Sequence, residues 1–172
     1  MTSTTTPAPG NLAPGVVAAD VDAAAARLAS LLAPTPLTES DRLSAKYGAT
    51  VVLKREDQQP VRSYKIRGAY NAMVQVTDEE RAAGVVAASA GNHAQGVAYA
   101  CRQLGIKGRI YVPNATPKQK RDRIRYHGRE FIELIAVGAT YDLAAAAALG
   151  GISLWGLLVV VAALLAALFA GV

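Results

Sequence analysis

The sequence predicts an α/β fold in which a parallel sheet is covered by helices. Three observations predict it. Short apolar runs at Val85–Ala88, Ile110–Val112 and Phe131–Ile135 have the length of buried strands. Stretches with apolar residues at helical spacing lie between and after those runs. The chain of 172 residues suits one domain of ordinary size. Strand and helix alternating at this interval imply parallel pairing, because each parallel pair needs a crossover between its strands.

The elements follow in order. Residues 1–15 are rich in Thr, Pro and Gly and have no basic stretch leading into an apolar one, so they are predicted to be a disordered leader and no signal peptide. Val21, Ala25, Leu28 and Leu32 recur at helical spacing and predict a helix over 16–32, which Pro34 and Pro36 end. Thr35, Pro36 and Leu37 begin an extended lead-in, and Thr50–Leu53 reads as a short strand. Ser63 opens a helix whose apolar face is Ile66, Ala69, Tyr70, Met73 and Val74. Thr77 and Glu80 make a capping box for a short helix stopped by Gly84. After the strand Val85–Ala88, Ser89–Asn92 turns into a helix with Ala94, Val97, Ala98 and Cys101 on one face and Gly105 as C-cap. Following the strand Ile110–Val112, Thr116 is the expected cap of the next helix, with Pro117 at its first position and Gln119 completing a capping box. Phe131–Ile135 is the last strand of the series, and Tyr141 starts an alanine-rich helix.

Charge divides the chain unevenly. The formal net charge is +5, and nearly all charged residues lie between Asp20 and Asp142. Lys118, Lys120, Arg121, Arg123, Arg125 and Arg129 supply much of the excess. Aromatic residues do not alternate with them, Tyr126 being the one within the run, and no nucleic-acid motif accompanies them, so they read as a solvated helix face and no nucleic-acid partner is expected. The single cysteine, Cys101, cannot form an internal disulfide and sits on an apolar helix face as a core filler. His127 reads as structural, and Glu56 and Asp57 point different ways on extended chain, so they form no carboxylate dyad. No metal site is expected.

Two constellations carry chemistry. The first is Ser63-Tyr64-Lys65-Ile66-Arg67-Gly68-Ala69. A lysine near a helix start usually carries a surface charge, and the helix dipole disfavours a cation there. Schiff-base chemistry needs a neutral amine, and lysine loses its proton most readily when buried or facing positive potential. The second is Ser89-Ala90-Gly91-Asn92-His93-Ala94-Gln95-Gly96, which follows a strand and opens a helix. Backbone N–H groups at such a turn make an anion site, and Gly91 lets a ligand come close. The plain alternative is an ordinary turn capped by Ser89 or Asn92.

Taken together, the two motifs and their spacing resemble the fold-type-II pyridoxal-phosphate (PLP) enzymes, and within them the threonine and serine ammonia-lyases. The resemblance runs from about Val16 to Tyr141. It is supported by Thr35-Pro36-Leu37, Lys54-Arg55-Glu56-Asp57, Pro113–Lys118 and Arg125-Tyr126-His127-Gly128. It implies that Lys65 holds the cofactor covalently, that Asn92 hydrogen-bonds the cofactor's 3′ oxygen, and that Ser89, Ala90, Gly91, Asn92 and His93 hold the substrate carboxylate. His93 points to the ammonia-lyase and serine-racemase branch, since the cysteine synthase branch usually has threonine there. The implied reaction takes L-threonine to 2-oxobutanoate and ammonia, as in isoleucine biosynthesis. The Lys65 amine would move the Cα proton while the cofactor ring absorbs the negative charge. Serine ammonia-lyase and serine racemase share both motifs and are the alternatives. The family resemblance also implies a cytoplasmic homo-oligomer.

The chain departs from that pattern at its end. The family holds the cofactor phosphate in a run of glycines well beyond the position of Tyr141. The only glycine pair in that direction here is Gly150-Gly151. Residues 16–142 are thus expected to be the N-terminal part of such an enzyme, with most of its small domain, weak cofactor binding and no useful turnover alone. Residues 143–172 form an apolar tail without charge. As a helix, the 22 residues 151–172 would reach roughly 33 Å, enough to span a bilayer core. A membrane anchor, and with it a non-enzymatic tethered module, is one expectation. A frame disruption just after Asp142 is the other.

Overall fold

Residues 15–150, together with 158 and 159, are described by the computed structural model. Helix α1 is Ala18–Leu28, shorter at both ends than the periodicity suggested. The lead-in forms strand β1, Leu37–Glu39, which pairs antiparallel with β2, Val52–Lys54. Between them lies α2, Asp41–Tyr47, a helix that periodicity did not reveal because it buries no residue. Helix α3, Lys65–Met73, buries Ile66, Ala69, Tyr70 and Met73, the face that its spacing predicts. Helix α4, Asp78–Ala83, has its expected capping box: Glu80 N–H donates to Thr77 Oγ1 at 3.2 Å, and Thr77 N–H donates to Glu80 Oε2 at 2.8 Å.

The main sheet begins with β3, Val85–Ala88. Helix α5, Asn92–Leu104, returns over it and ends at Gly105, whose φ of 69° suits a residue without Cβ. Strand β4, Gly108–Val112, leads to α6, Lys118–Gly128, then to β5, Ile132–Ala136, and α7, Tyr141–Gly150. The strand order is β5-β4-β3-β6, with β6 the two residues Leu158–Val159, and every pairing is parallel. Alternation along the strands divides two cores. Val85, Ala87, Ile110 and Val112 pack with α3, α5 and Ile124 of α6. Val86 and Tyr111 pack with Ala144 and Ala148 of α7. Helices therefore cover both faces of the sheet, as period-two side-chain alternation requires of a strand buried on both sides.

Two expectations need correcting. Thr116 does not cap α6. The helix begins one residue later, with Pro117 as N-cap and no side-chain capping bond. The Pro117 carbonyl accepts from Lys120 N–H at 3.0 Å and Arg121 N–H at 3.2 Å, so the Thr116 hydroxyl lies a residue too early for the capping position. The expected helix over 151–172 is strand where it is described: Leu158 and Val159 pair with Val85 and Val86. The rest of that tail, and residues 1–14 of the leader, lie outside the described residues. No helix among the described residues is long and apolar enough to cross a membrane.

Candidate active site

The strand order reverses at β3: β4 and β5 extend to one side, β6 to the other. Crossovers diverging from such a point leave a crevice beyond the carboxyl ends of the strands. The segment that leaves β3 there is Ser89–His93. Ser89 N–H still donates to Tyr111 O at 3.1 Å, extending the ladder, and Gly91 N–H lies 3.4 Å from Ser89 Oγ. Neither Ser89 nor Asn92 caps α5. Gly91 occupies the N-cap and has no side chain to offer, so the first-turn N–H groups carry no side-chain cap. A Cβ on Gly91 would meet nothing within 4 Å, which leaves open space in front of these donors. Asn92 is exposed, while Ser89, Ala90, Gly91 and His93 are half-buried.

Lys65 lies at a close crossing of α3 and α5. A Cβ on Gly96 would lie 3.0 Å from the Lys65 carbonyl oxygen and 3.2 Å from Ile66 N. The two backbones are therefore nearly in contact, one helical turn after Asn92. The Lys65 amine is half-buried, stands 5.0 Å from the Tyr64 ring centroid and has no ion-pair partner among the described residues. Two residues earlier, the Ser63 hydroxyl is buried and lacks a hydrogen-bond partner among the described residues.

This donor set suits the aldehyde end of pyridoxal phosphate. A primary amine without a carboxylate partner can condense with the aldehyde, and open N–H groups at a helix start can hold an anion. The structure thus sets the first residue of α3, Lys65, against the helix that the Ser89–His93 turn opens.

Three residues named in the sequence analysis take roles here that the sequence did not assign. Gly96 sits inside a helix, where glycine costs about 1 kcal/mol relative to alanine, and such a glycine commonly signals a packing requirement. Glu56 accepts from Arg67 Nε at 2.9 Å and Arg67 Nη2 at 2.8 Å, from Thr35 Oγ1 at 2.6 Å and from Gln59 Nε2 at 3.3 Å. Burial alone would raise the Glu56 carboxyl, but the bonds from Arg67 and Thr35, the Arg67 charge and the Gln59 bond outweigh it and hold the group below its ordinary value. Asp57 turns the other way, to Arg55, so the two carboxylates are separate as expected. Tyr141 donates its hydroxyl to the Ala88 carbonyl at 2.7 Å and pins the start of α7 beside the turn.

The remaining residues stay outside the crevice chemistry. Burial pushes the Cys101 thiol up to about 12, which keeps it protonated and inert. His127 is buried between Tyr99 and Tyr126. The basic run of α6 is partly neutralised on the helix itself, where Asp122 pairs with Lys118 at 2.6 Å and Arg125 at 3.8 Å.

Comparison with known proteins agrees with this geometry. L-threonine dehydratase biosynthetic IlvA of Mycobacterium tuberculosis (strain ATCC 25618 / H37Rv) is 73% identical over 131 residues, covering 76% of this chain and 30% of that protein. The enzyme of the same name from Corynebacterium glutamicum is 60% identical over 143 residues, 81% of this chain and 33% of the relative. The chain thus spans about a third of the length of these relatives. Among solved structures, the processed form of threonine deaminase isoform 2 from Solanum lycopersicum superposes with a TM-score of 0.73 at 34% identity, over 91% of this chain and 45% of that one. Maize serine racemase gives 0.77 at 29% identity, over 83% and 42%. The sequence matches the family described as pyridoxal-phosphate dependent enzyme over residues 28–152, and the chain belongs to that family.

Proposed function

We propose that this chain supplies the lysine and the carboxylate-binding wall of a threonine ammonia-lyase, which converts L-threonine to 2-oxobutanoate and ammonia. The observation that carries the reading is the contact of α3 and α5 at Gly96, which sets Lys65 beside the turn at the switch point of the sheet. The 73% identity to a biosynthetic L-threonine dehydratase supports threonine over serine.

In this reading Lys65 and Asn92 would hold the cofactor, the amine at its aldehyde end and the amide at its 3′ oxygen. The N–H groups and side chains of Ser89–His93 receive the substrate carboxylate at the positive end of α5. Holding the carboxylate fixes rotation about Cα, so the bond to be broken stands in one orientation. The Lys65 amine would be the base that takes the Cα proton. Pyridoxal phosphate, when bound, supplies the electron sink for the pair left on Cα.

The test is to incubate the chain with PLP, reduce with borohydride and map the modified lysine by mass spectrometry. Lys65 is expected to be modified ahead of the exposed Lys107, and Lys65→Ala should lose that adduct while keeping its fold by circular dichroism. Equal modification of the two lysines would overturn the reading. In a protein containing the chain, ammonia release should favour threonine over serine and vanish with Lys65→Ala.

A further inference from the structure

Resting on the reading of Lys65 as the cofactor's lysine, we propose that Glu56 is a positioning residue whose one carboxylate, bonded to Gln59 before Lys65 and to Arg67 after it, clamps residues 59–67 and fixes where the Lys65 amine stands.

The carboxylate sits on the 3-10 turn Glu56–Gln58, outside the segment it holds. Toward the helix it takes both parallel donors of the Arg67 guanidinium, at 2.8 and 2.9 Å. This fork fixes direction as well as distance. Toward the turn it accepts from Gln59, whose carbonyl takes the Arg62 N–H at 2.7 Å. Arg62 has a φ of 55°, a left-handed conformation unusual for a residue with a side chain, so the route from Gln59 to Lys65 is held off the backbone's ordinary preference. The third partner, Thr35, ties the carboxylate to the lead-in at 2.6 Å. The Lys54 amine adds a bond to the Thr35 carbonyl at 2.7 Å.

The pair is well shielded, with side-chain exposures of 18% for Glu56 and 29% for Arg67. On the far side, Gly96 stops the Lys65 backbone at contact distance. Lys65 therefore stands between a rigid wall and a clamp of three partners and four hydrogen bonds. Releasing the clamp leaves the wall but frees the segment to move away from it. An amide at position 56 cannot hold both arms of the guanidinium as a carboxylate does, because half of it is a donor.

The experiment uses the full chain as wild type, Glu56→Ala, Glu56→Gln and Arg67→Lys. Amide hydrogen exchange is read over residues 59–67, with 85–88 and 108–112 as internal control. Modification by PLP and borohydride is read as the ratio of Lys65 to Lys107. The expected result for Glu56→Ala is exchange about tenfold faster in 59–67, the effect of losing charge-assisted bonds. The two strands should be unchanged and the lysine ratio several-fold lower. Glu56→Gln should fall between, and it carries the test where Glu56→Ala does not fold. Arg67→Lys keeps the charge without the fork and should show a smaller loss in the same segment. Exchange that is unchanged, or that rises equally in the strands, overturns the proposal. So does faster exchange in 59–67 with an unaltered lysine ratio. Wild-type chain with no preference for Lys65 sinks the cofactor assignment instead, and the exchange readout still decides whether the clamp exists.

Discussion

Gly96 is the residue at which helix packing and chemistry meet. An alanine there would put its Cβ 3.0 Å from the Lys65 carbonyl oxygen and 3.1 Å from its carbon, both backbone atoms that cannot rotate away. The helices must separate by a few tenths of an ångström, so Gly96→Ala is expected to destabilise the chain by about 1–3 kcal/mol, the range for overpacking a filled contact. The better helix propensity of alanine offsets about 1 kcal/mol of that. Urea unfolding checks the sum, and a midpoint raised by the full propensity gain would show that α3 and α5 do not meet there. This contact was invisible in the sequence. A glycine four residues after Asn92 signals tight packing, but only the fold says against what.

At the scale of elements, two helix starts with the same sequence signature behave differently. Thr77 and Glu80 form a complete capping box on α4. Thr116 and Gln119 form none, and the Thr116 hydroxyl is buried without a hydrogen-bond partner among the described residues. Thr77→Ala should therefore cost about 1 kcal/mol, as the loss of a cap does. Thr116→Val should be neutral or stabilising, because it removes a buried polar group that makes no bond. Thermal melts of the two variants separate the cases, and a loss of similar size in both would restore Thr116 as a cap. The reason for the difference is the turn that precedes the helix. Thr116 N–H turns onto the Pro113 carbonyl at 3.0 Å and commits the residue to the loop before the helix begins. Helix α2 was missed for the opposite reason. Its stop signal, Gly48 in the left-handed region, stands in the sequence, but a helix with no buried face has no apolar period to detect.

For the whole molecule, two titrations set the acid limit of the fold. His127 is held below its ordinary value of 6.5 by burial first, then by the charges of Arg123 and Arg102. The unfolded chain thus binds its proton first, and stability is lost as pH falls below 6.5 toward the folded value. Glu56 is held below 4.5, so its contribution is full above 4.5 and is lost as pH falls through its folded value. The unfolding midpoint should accordingly decline in two stages on acidification. His127→Phe should remove the first stage and Glu56→Gln the second; a midpoint that does not fall as pH drops below 6.5 would contradict the first assignment, and one that Glu56→Gln leaves with the same decline below 4.5 would contradict the second. The sequence by itself determined the strands β3, β4 and β5, the buried faces of α3 and α5, and the two motifs with Lys65 and Ser89–His93. These are local facts, written in periodicity and in the residue types that turns require. Only the tertiary structure decided that α3, with Lys65, crosses α5 in close contact at Gly96 and that the strand order reverses at β3. It alone paired Glu56 with Arg67, Thr35 and Gln59, and seated Leu158 and Val159 beside β3. Apart from the bond to Gln59, those contacts join residues more than ten positions apart, and such a contact leaves no periodic trace in either partner's own surroundings.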